Sequence, residues 1–231
     1  MECSSDMEFR VERAVLDAGV KIVFVVIRGL DNSTASYEWQ AQREVLLNEL
    51  IERYKDIDVH QDPVLEGYNL LHDHTGVKRR KNIPASENLI KLLQKHGTLA
   101  YINKVVDIYN LISLDSKLAL GAHNIDQVSG NVTLRFTDGT ERFVPLGQTE
   151  PVVINPHEYS YIDDSNEVLC RLEIRQVQKT LVDETARNVF YIVQGNDATS
   201  DELLHQTAQN IIDLTTQYCG GIGEIIIPKV L

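Results

Sequence analysis

The chain has 231 residues, of which 43% are hydrophobic and 24% charged, so it can bury a core and is not intrinsically disordered. Its 34 acidic residues outnumber its 22 basic residues, and the net charge of −12 excludes a protein that coats nucleic acid. Three widely spaced cysteines exclude a disulfide framework and predict a cytoplasmic protein. The longest apolar run has six residues and the first residues are acidic, so we predict neither a membrane span nor a signal peptide.

The first part of the chain predicts an edge strand or a short arm over 1–19, followed by a strand buried on both faces over 21–28. Ser36 precedes apolar residues at helical spacing and predicts a capped helix that runs to about Tyr54. Residues 55–83 lack a clear period and are predicted to form a long irregular connection.

Residues 76–106 are basic against this acidic background, with seven basic residues and one acid. Four of the basic residues are consecutive: Lys78, Arg79, Arg80 and Lys81. Because electrostatic attraction is screened within about 10 Å at physiological salt, such a segment can hold one phosphate-bearing ligand at one place. The alternative is a solvated loop, and the charge pattern leaves both interpretations open.

Two helices are predicted next. The first is opened by residues 84–87 and ended by Gly97, and the second covers 101–113 with apolar residues at helical spacing. We expect the apolar side of the second helix to pack against a sheet built from residues 131–174.

From residue 131 onward, apolar and polar residues alternate with a period of two. Segments 131–136 and 140–144 flank Asp138–Gly139, a strong hairpin signal, and predict a two-stranded hairpin. Further strands are predicted over 152–154, 159–162, 168–174, 188–193 and 225–227, with a last helix from a Ser200 cap to Cys219. This order predicts an α+β fold with a mixed, largely antiparallel sheet core flanked by helices.

Motifs for metal and cofactor chemistry are weak. His72 and His74 have no further Cys or His at ligand spacing, so we interpret them as part of a solvated loop. Cys170 lies in an apolar stretch and is interpreted as a core cysteine. No phosphate-binding loop, dinucleotide fingerprint or nucleophile elbow occurs, so we predict no metal and no cofactor.

Two groups of polar residues lie in otherwise apolar segments. Arg171, Glu173 and Arg175 alternate along one predicted strand and form either a solvated face or a charged pocket wall. Asp107 and Asn110 are one turn apart in an apolar helix. A buried amide without a partner costs about 1–3 kcal/mol, so Asn110 is either a structural tie or a polar group offered to a pocket.

Several short motifs recur in one order along the chain and carry a family resemblance. They occupy residues 84–87, 102–110, 121–126 and 168–171, followed by Arg175–Gln176. Together they resemble the B3/B4 domain of the phenylalanyl-tRNA synthetase β subunit, and still more the free-standing B3/4 domain proteins. The resemblance is most specific over 75–221 and implies that residues 1–231 form a single B3/B4-like domain.

The resemblance implies a domain that binds the 3′ end of a tRNA. In the synthetase, this domain hydrolyses the ester that links tyrosine to the phenylalanine tRNA. Of the residues that act there, the Asn matches Asn110, whereas the preceding Thr is Tyr109 here. The editing His falls on Gly121 and the editing Glu falls near Ile192, so the tyrosine-specific pocket is not reproduced.

Five residues are therefore candidates for a differently shaped pocket: Tyr109, Asn110, His123, Glu173 and Arg175. No catalytic residue is assigned among them. One hypothesis is a tRNA-binding protein that hydrolyses mischarged aminoacyl-tRNA in trans, without ligase activity of its own. The other is a non-catalytic module for tRNA or a small amino-acid-like ligand. In both cases the expected partner is the tRNA 3′ end, contacted through Lys78, Arg79, Arg80 and Lys81, and neither a membrane nor DNA is expected.

Overall fold

The apolar strand predicted over 21–28 lies inside a four-stranded sheet and is covered on both faces. The computed structural model, which describes residues 7–33 and 36–231, places six buried side chains in succession along this strand. Val23, Val25 and Ile27 face a layer of helices, whereas Ile22, Phe24 and Val26 face a second sheet. Because both faces of the strand are covered, its side chains are apolar on both faces.

Over the described residues, six α-helices and ten β-strands follow one another. In chain order they are β1 (Phe9–Val11), α1 (Arg13–Asp17), β2 (Lys21–Arg28), α2 (Tyr37–Tyr54), α3 (Pro63–His74), α4 (Ala85–His96), α5 (Lys104–Ser116), β3 (Ala119–Asn124), β4 (Val132–Phe136), β5 (Tyr159–Asp163), β6 (Val168–Arg171), β7 (Arg175–Gln176), β8 (Asn188–Gly195), α6 (Asp201–Cys219), β9 (Ile222–Ile226) and β10 (Lys229–Val230).

The strands form two sheets. One has the order β3-β8-β2-β9 and is antiparallel throughout. The other has the order β10-β1-β4-β5-β6-β7, in which β1 runs parallel to both neighbours and the remaining pairs are antiparallel. The predicted α+β class with a mixed, largely antiparallel core is confirmed.

Helix boundaries follow the predicted caps. The Ser36 hydroxyl accepts a hydrogen bond from the Trp39 N–H at 3.0 Å, and the Ser200 hydroxyl accepts one from the Leu203 N–H at 3.1 Å. Gly97 ends α4 with a φ of 64°, a left-handed conformation that favours glycine. No helix in the described part of the chain combines the length and apolar character that crossing a bilayer requires.

The predicted irregular connection over 55–83 is wrong, because it contains α3. Asp62 caps this helix through hydrogen bonds from the Val64 and Leu65 N–H groups, and Pro63 occupies its first turn. The helix buries Tyr68 and His72, so the solvated loop predicted around His72 is also wrong. The Asp-Pro pair was the available signal for this helix.

The predicted hairpin at Asp138–Gly139 is wrong as well. β4 pairs with β5 and β1, whereas residues 140–144 form no strand. The Glu141 carboxylate accepts hydrogen bonds from the Asp138 and Gly139 N–H groups at 3.0 Å, so a side chain closes this turn instead of a strand ladder. Residues 152–154 are likewise outside any strand.

Helix α5 also differs from its predicted packing. Its residues Val105, Ile108 and Ile112 lie in the core between the helices and the four-stranded sheet, beside β3 and α6. The sheet that contains residues 132–176 lies on the other side of the four-stranded sheet. This placement brings the middle of α5 to the start of β3, where a cavity with polar and apolar lining residues opens.

Candidate functional site

A cavity of about 360 Å³ lies between the first turn of α4, the middle of α5 and strands β3, β7 and β8. This volume is within the range of small-molecule sites. Its apolar wall comes from Leu89, Leu120, Ile174 and Ile192, among others. Its polar lining residues are Asn88, Tyr109, Asn110, Glu173, Arg175 and Gln176. The structure thus brings together four of the five predicted pocket residues.

Helix α5 supplies Tyr109 and Asn110. Both side chains are half-buried, and neither makes a hydrogen bond within the residues that the structure describes. Asp107, one turn earlier, is different because it accepts a hydrogen bond from Arg43 Nε at 2.5 Å. Asp107 therefore has a structural role in an ion pair with Arg43, whereas the Asn110 side chain lines the cavity.

Glu173 reaches the cavity because the chain reverses after β6. The strand predicted over 168–174 ends at Arg171, and Leu172 adopts a φ of 52°, which is unusual for a residue with a side chain. As a result, the three charged residues predicted on one face separate. Arg171 pairs with buried Glu158 through two bonds of 2.5 and 2.8 Å, Glu173 is buried, and Arg175 is exposed at the cavity.

The buried Glu173 carboxylate has two side-chain partners that the sequence did not suggest. His72 Nε2 lies 2.7 Å from Oε1, and the Tyr159 hydroxyl donates to Oε2. The other ring nitrogen of His72 lies 3.1 Å from the Asn82 carbonyl oxygen. Burial lowers the pKa of His72, but the Glu173 charge and the hydrogen bonds outweigh burial, so the pKa is raised above its ordinary value. Burial is the main cause that raises the pKa of Tyr159 well above its usual range.

Gly121 and Gln176 lie against each other at the cavity. Gly121 of β3 pairs with Ile192 of β8, and both residues line the cavity. A Cβ atom on Gly121 would overlap the side-chain amide nitrogen of Gln176, which therefore occupies the space that any side chain at position 121 would need. The Gln176 amide makes no hydrogen bond within the described residues, as is also true of the Asn88 and Arg175 side chains.

His123 is the predicted pocket residue that the structure does not bring to the cavity. Its ring stacks on Phe190 with centroids 5.0 Å apart, and its Nδ1 lies 2.7 Å from the Thr180 hydroxyl. Burial lowers the pKa of His123 to about 3, so the ring is neutral at physiological pH.

The four basic residues 78–81 divide into two groups. Arg79 is engaged by two carboxylates, with bonds of 2.8 Å to Glu66 and 2.5 Å to Asp73. Lys78, Arg80 and Lys81 are exposed and make no ion pair in the part of the chain that the structure describes. Arg80 lies in a groove that shares its Ile83 wall with the cavity.

Within the described residues, no group of three or more His, Cys, Asp or Glu side chains is arranged to hold a metal ion. Cys170 lines the cavity from a buried position, and its thiol donates to the Leu172 carbonyl at 3.4 Å. Burial raises the pKa of this thiol far above the physiological range, which disfavours the nucleophilic thiolate.

The comparison with protein families decides the classification. The sequence model described as "B3/4 domain" matches residues 74–220, which is more than half of the chain. The chain belongs to the B3/4 domain family. The matched region contains α4, α5 and every residue that lines the cavity.

Among solved structures, the chain is similar to an N-terminal fragment of the phenylalanyl-tRNA synthetase β subunit from Pyrococcus horikoshii. The similarity has a TM-score of 0.53 at 14% sequence identity and covers 98% of this chain. It covers 52% of that chain, so this protein spans about half the length of its structural relative. At this identity the comparison supports the fold. A search of curated proteins finds no match.

Proposed function

We propose that this B3/4 protein binds the aminoacylated 3′ end of a tRNA, places the aminoacyl group in the cavity, and hydrolyses the ester in trans. The observation that carries the proposal is the set of five polar side chains at one cavity without partners among the described residues: Asn88, Tyr109, Asn110, Arg175 and Gln176. Convergent polar groups on an apolar wall are what a small-molecule site requires. An aminoacyl ester offers a carbonyl and an amino group to such groups, and an apolar side chain to the wall.

The charge distribution supports RNA as the carrier of this ester. The exposed side chains of Lys78, Arg80 and Lys81 are close in sequence to α4, whose first turn lines the cavity. Arg80 lines the groove that shares Ile83 with the cavity, and so does Lys91, which pairs with Glu87. A terminal nucleotide in the cavity would therefore leave its preceding phosphates near basic side chains, while the rest of the acidic protein repels RNA.

The test is a panel of labelled aminoacyl-tRNAs incubated with the protein. Binding is measured by filter retention, and ester loss is compared with the spontaneous rate in the same buffer. The proposal expects binding of charged tRNA and hydrolysis above the spontaneous rate for at least one amino acid. No binding to any charged tRNA would contradict it.

A second candidate function is a non-catalytic module for tRNA or an amino-acid-like ligand. It is favoured by the departures from the synthetase editing pattern, in which the His position is Gly121 and the Glu position falls near Ile192. Both replacements lie in the cavity wall, where the polar side chains of that pattern are absent. Binding without ester loss for every amino acid of the panel would favour this second function.

Removing three basic side chains tests the RNA surface. We expect the Lys78→Ala/Arg80→Ala/Lys81→Ala variant to bind tRNA more weakly at low salt. For each phosphate that is no longer neutralised, the slope of log affinity against log salt should flatten by about 0.7 to 0.9. The charge-matched control is Arg28→Ala/Lys55→Ala/Lys229→Ala, three exposed residues of other elements. Equal slopes for both variants would mean that 78–81 is a solvated loop.

Substitution of Gly121 tests the cavity wall. Alanine at this position requires Gln176 to move, because the new Cβ meets its amide nitrogen. Since the amide is the end of a flexible side chain, we expect the free energy of unfolding to change by less than about 1 kcal/mol. We expect the affinity for aminoacyl-tRNA to fall several-fold, because Gln176 is displaced into the cavity. Urea denaturation and filter binding measure the two effects, and unchanged affinity would remove Gln176 from the site.

A further inference from the structure

Behind the cavity wall, three buried side chains form a continuous hydrogen-bonded chain. The side chains of His72 and Glu173 are 0% and 1% exposed, and Tyr159 is 1% exposed. They come from α3, from the turn after β6, and from β5. Glu173 is the member that also lines the cavity.

The number of protons in this chain follows from the chemistry of its ends. The Asn82 carbonyl oxygen accepts hydrogen bonds and never donates, so His72 Nδ1 carries a hydrogen at this contact. The 2.7 Å contact between His72 Nε2 and Glu173 Oε1 then needs one proton between the two atoms. Whether that proton resides on nitrogen or on oxygen, the pair holds one transferable proton. Tyr159 occupies the other carboxylate oxygen by donating to it.

We propose that Glu173 is the proton-transferring catalytic residue of the cavity, and that His72 and Tyr159 are positioning residues that supply and orient its proton. This inference rests on the proposed function, because it assigns the chemistry of the same cavity. It uses Tyr159, which no sequence motif identified, and His72, which the sequence analysis interpreted as part of a solvated loop.

Other lining groups of the described cavity are poorer proton donors and acceptors. The thiol of Cys170 and the hydroxyl of Tyr109 both have a pKa raised by burial. The guanidinium of Arg175 offers hydrogen-bond donors and no acceptor, so it cannot take up a proton. The amides of Asn88, Asn110 and Gln176 orient a ligand but do not exchange protons. Glu173 therefore remains as the acid–base group.

The reaction balances as an ester hydrolysis. A water oxygen attacks the ester carbonyl carbon, and the negative charge that develops on the carbonyl oxygen is stabilised by hydrogen bonds from the lining amides. The bond between the carbonyl carbon and the ribose oxygen then breaks. The ribose oxygen takes the proton from Glu173, which takes the shared proton from His72. The proton lost by the attacking water returns to the Glu173–His72 pair, and the products are the free amino acid and the tRNA hydroxyl.

The pH dependence follows from the groups packed around Glu173. Besides His72, these are Tyr68 of α3, Tyr159 and Tyr161 of β5, and Cys170 and Arg171 of β6. Burial raises the pKa of each tyrosine and of the thiol, so the proton shared by the His72–Glu173 pair is the one that is lost, as His72 titrates. Enzymatic hydrolysis should therefore fall as the pH rises and the pair loses its proton, whereas spontaneous hydrolysis by hydroxide increases.

The decisive variant is Glu173→Gln. Glutamine has the same shape, and it can donate to His72 Nε2 while it accepts from Tyr159, so both buried hydrogen bonds are retained. We expect hydrolysis to fall by about 10²- to 10⁴-fold, the contribution of a positioned acid–base group, while tRNA binding is unchanged. In this variant, the enzymatic rate that remains should no longer fall as the pH rises.

A matched pair of tyrosine variants tests positioning. Tyr159→Phe removes the donor to Glu173 and is expected to lower hydrolysis about 10-fold with the alkaline limb of the pH profile shifted. Tyr161→Phe is the control, because Tyr161 is equally buried on the same strand and donates instead to Gln194 Oε1 at 2.5 Å. If Glu173→Gln does not fold, the two tyrosine variants and the wild-type pH profile test the inference.

The outcomes separate the inference from the proposed function. The inference is overturned, and the proposed function is not, if Glu173→Gln hydrolyses aminoacyl-tRNA as fast as wild type. The same holds if Tyr159→Phe and Tyr161→Phe lower the rate of hydrolysis equally. Binding of charged tRNA without hydrolysis overturns the inference and favours the non-catalytic module. Absence of binding overturns both. Loss of hydrolysis in Glu173→Gln, together with loss of the alkaline limb and retained binding, supports the inference.

Discussion

Replacement of Asn110 by alanine is expected to abolish most hydrolysis of aminoacyl-tRNA while leaving the protein folded. The amide lines the cavity and makes no hydrogen bond within the described part of the chain, so its removal leaves no protein group unpaired there. Removing one hydrogen-bond donor to a developing oxyanion typically lowers kcat by about 10²- to 10³-fold. The free energy of unfolding should change by less than about 0.5 kcal/mol, because no internal hydrogen bond of the described residues is broken.

The matched control for this prediction lies at the start of the same helix. The Asn103 side chain caps α5 by accepting from the Val106 N–H at 3.0 Å and donates to the Val182 carbonyl at 3.0 Å. Asn103→Ala should therefore cost about 1–2 kcal/mol of stability, the usual loss for an N-cap, with a small effect on catalysis. Single-turnover kinetics and urea denaturation of both variants check the contrast. A large stability loss in Asn110→Ala with unchanged kinetics would show that Asn110 is a structural tie.

Local signals in the sequence were sufficient for most elements of the fold. Ser36 and Ser200 are strong N-caps, and the apolar run over 21–28 has few alternatives to a buried strand. The failed hairpin has a physical cause, because strand pairing there depends on a distant part of the chain. The turn at Asp138–Gly139 is closed by Glu141, and the partner strand of β4 is β5, which begins at Tyr159.

The candidate site likewise contains residues that local sequence signals indicate and residues that only long-range packing brings together. Asn110 and Tyr109 were identified because their motif is contiguous on one helix. His72 could not be assigned from sequence, because its partner Glu173 is 101 residues away and the helix that positions it was hidden in an apparently irregular segment. Gln176 was similarly hidden, since its relation to Gly121 exists only through the packing of β7 on β3. Long-range polar contacts leave no periodic trace in a sequence.

Removal of the His72 imidazole is expected to cause a larger loss of stability than any of the cavity substitutions. His72→Ala leaves the buried Glu173 carboxylate with Tyr159 as its remaining side-chain partner among the described residues. Breaking a buried pair by removing one member typically costs about 3–5 kcal/mol, because the other group is left uncompensated. Urea denaturation of wild type and variant at one pH near 6 gives the first value.

The pH dependence of that loss identifies its origin. The pKa of His72 is raised in the folded protein, so its stabilising contribution is fully present below the unfolded value of about 6.5 and is lost as the pH rises through the folded pKa. The destabilisation caused by His72→Ala should therefore be largest at pH 5–6 and decrease toward pH 9. A loss of equal size across this range would mean that only packing was removed.

His123→Ala is the matched control, because it also removes a fully buried imidazole. The pKa of His123 is lowered by burial to about 3, so wild type loses stability as the pH falls below about 6.5, where the unfolded chain binds a proton that the folded chain does not. The destabilisation caused by His123→Ala should therefore decrease toward acid, by up to about 1.4 kcal/mol per pH unit, and stay constant above pH 7. Opposite slopes for the two histidine variants identify His72 as the charged, paired imidazole behind the cavity and His123 as the neutral one in the core.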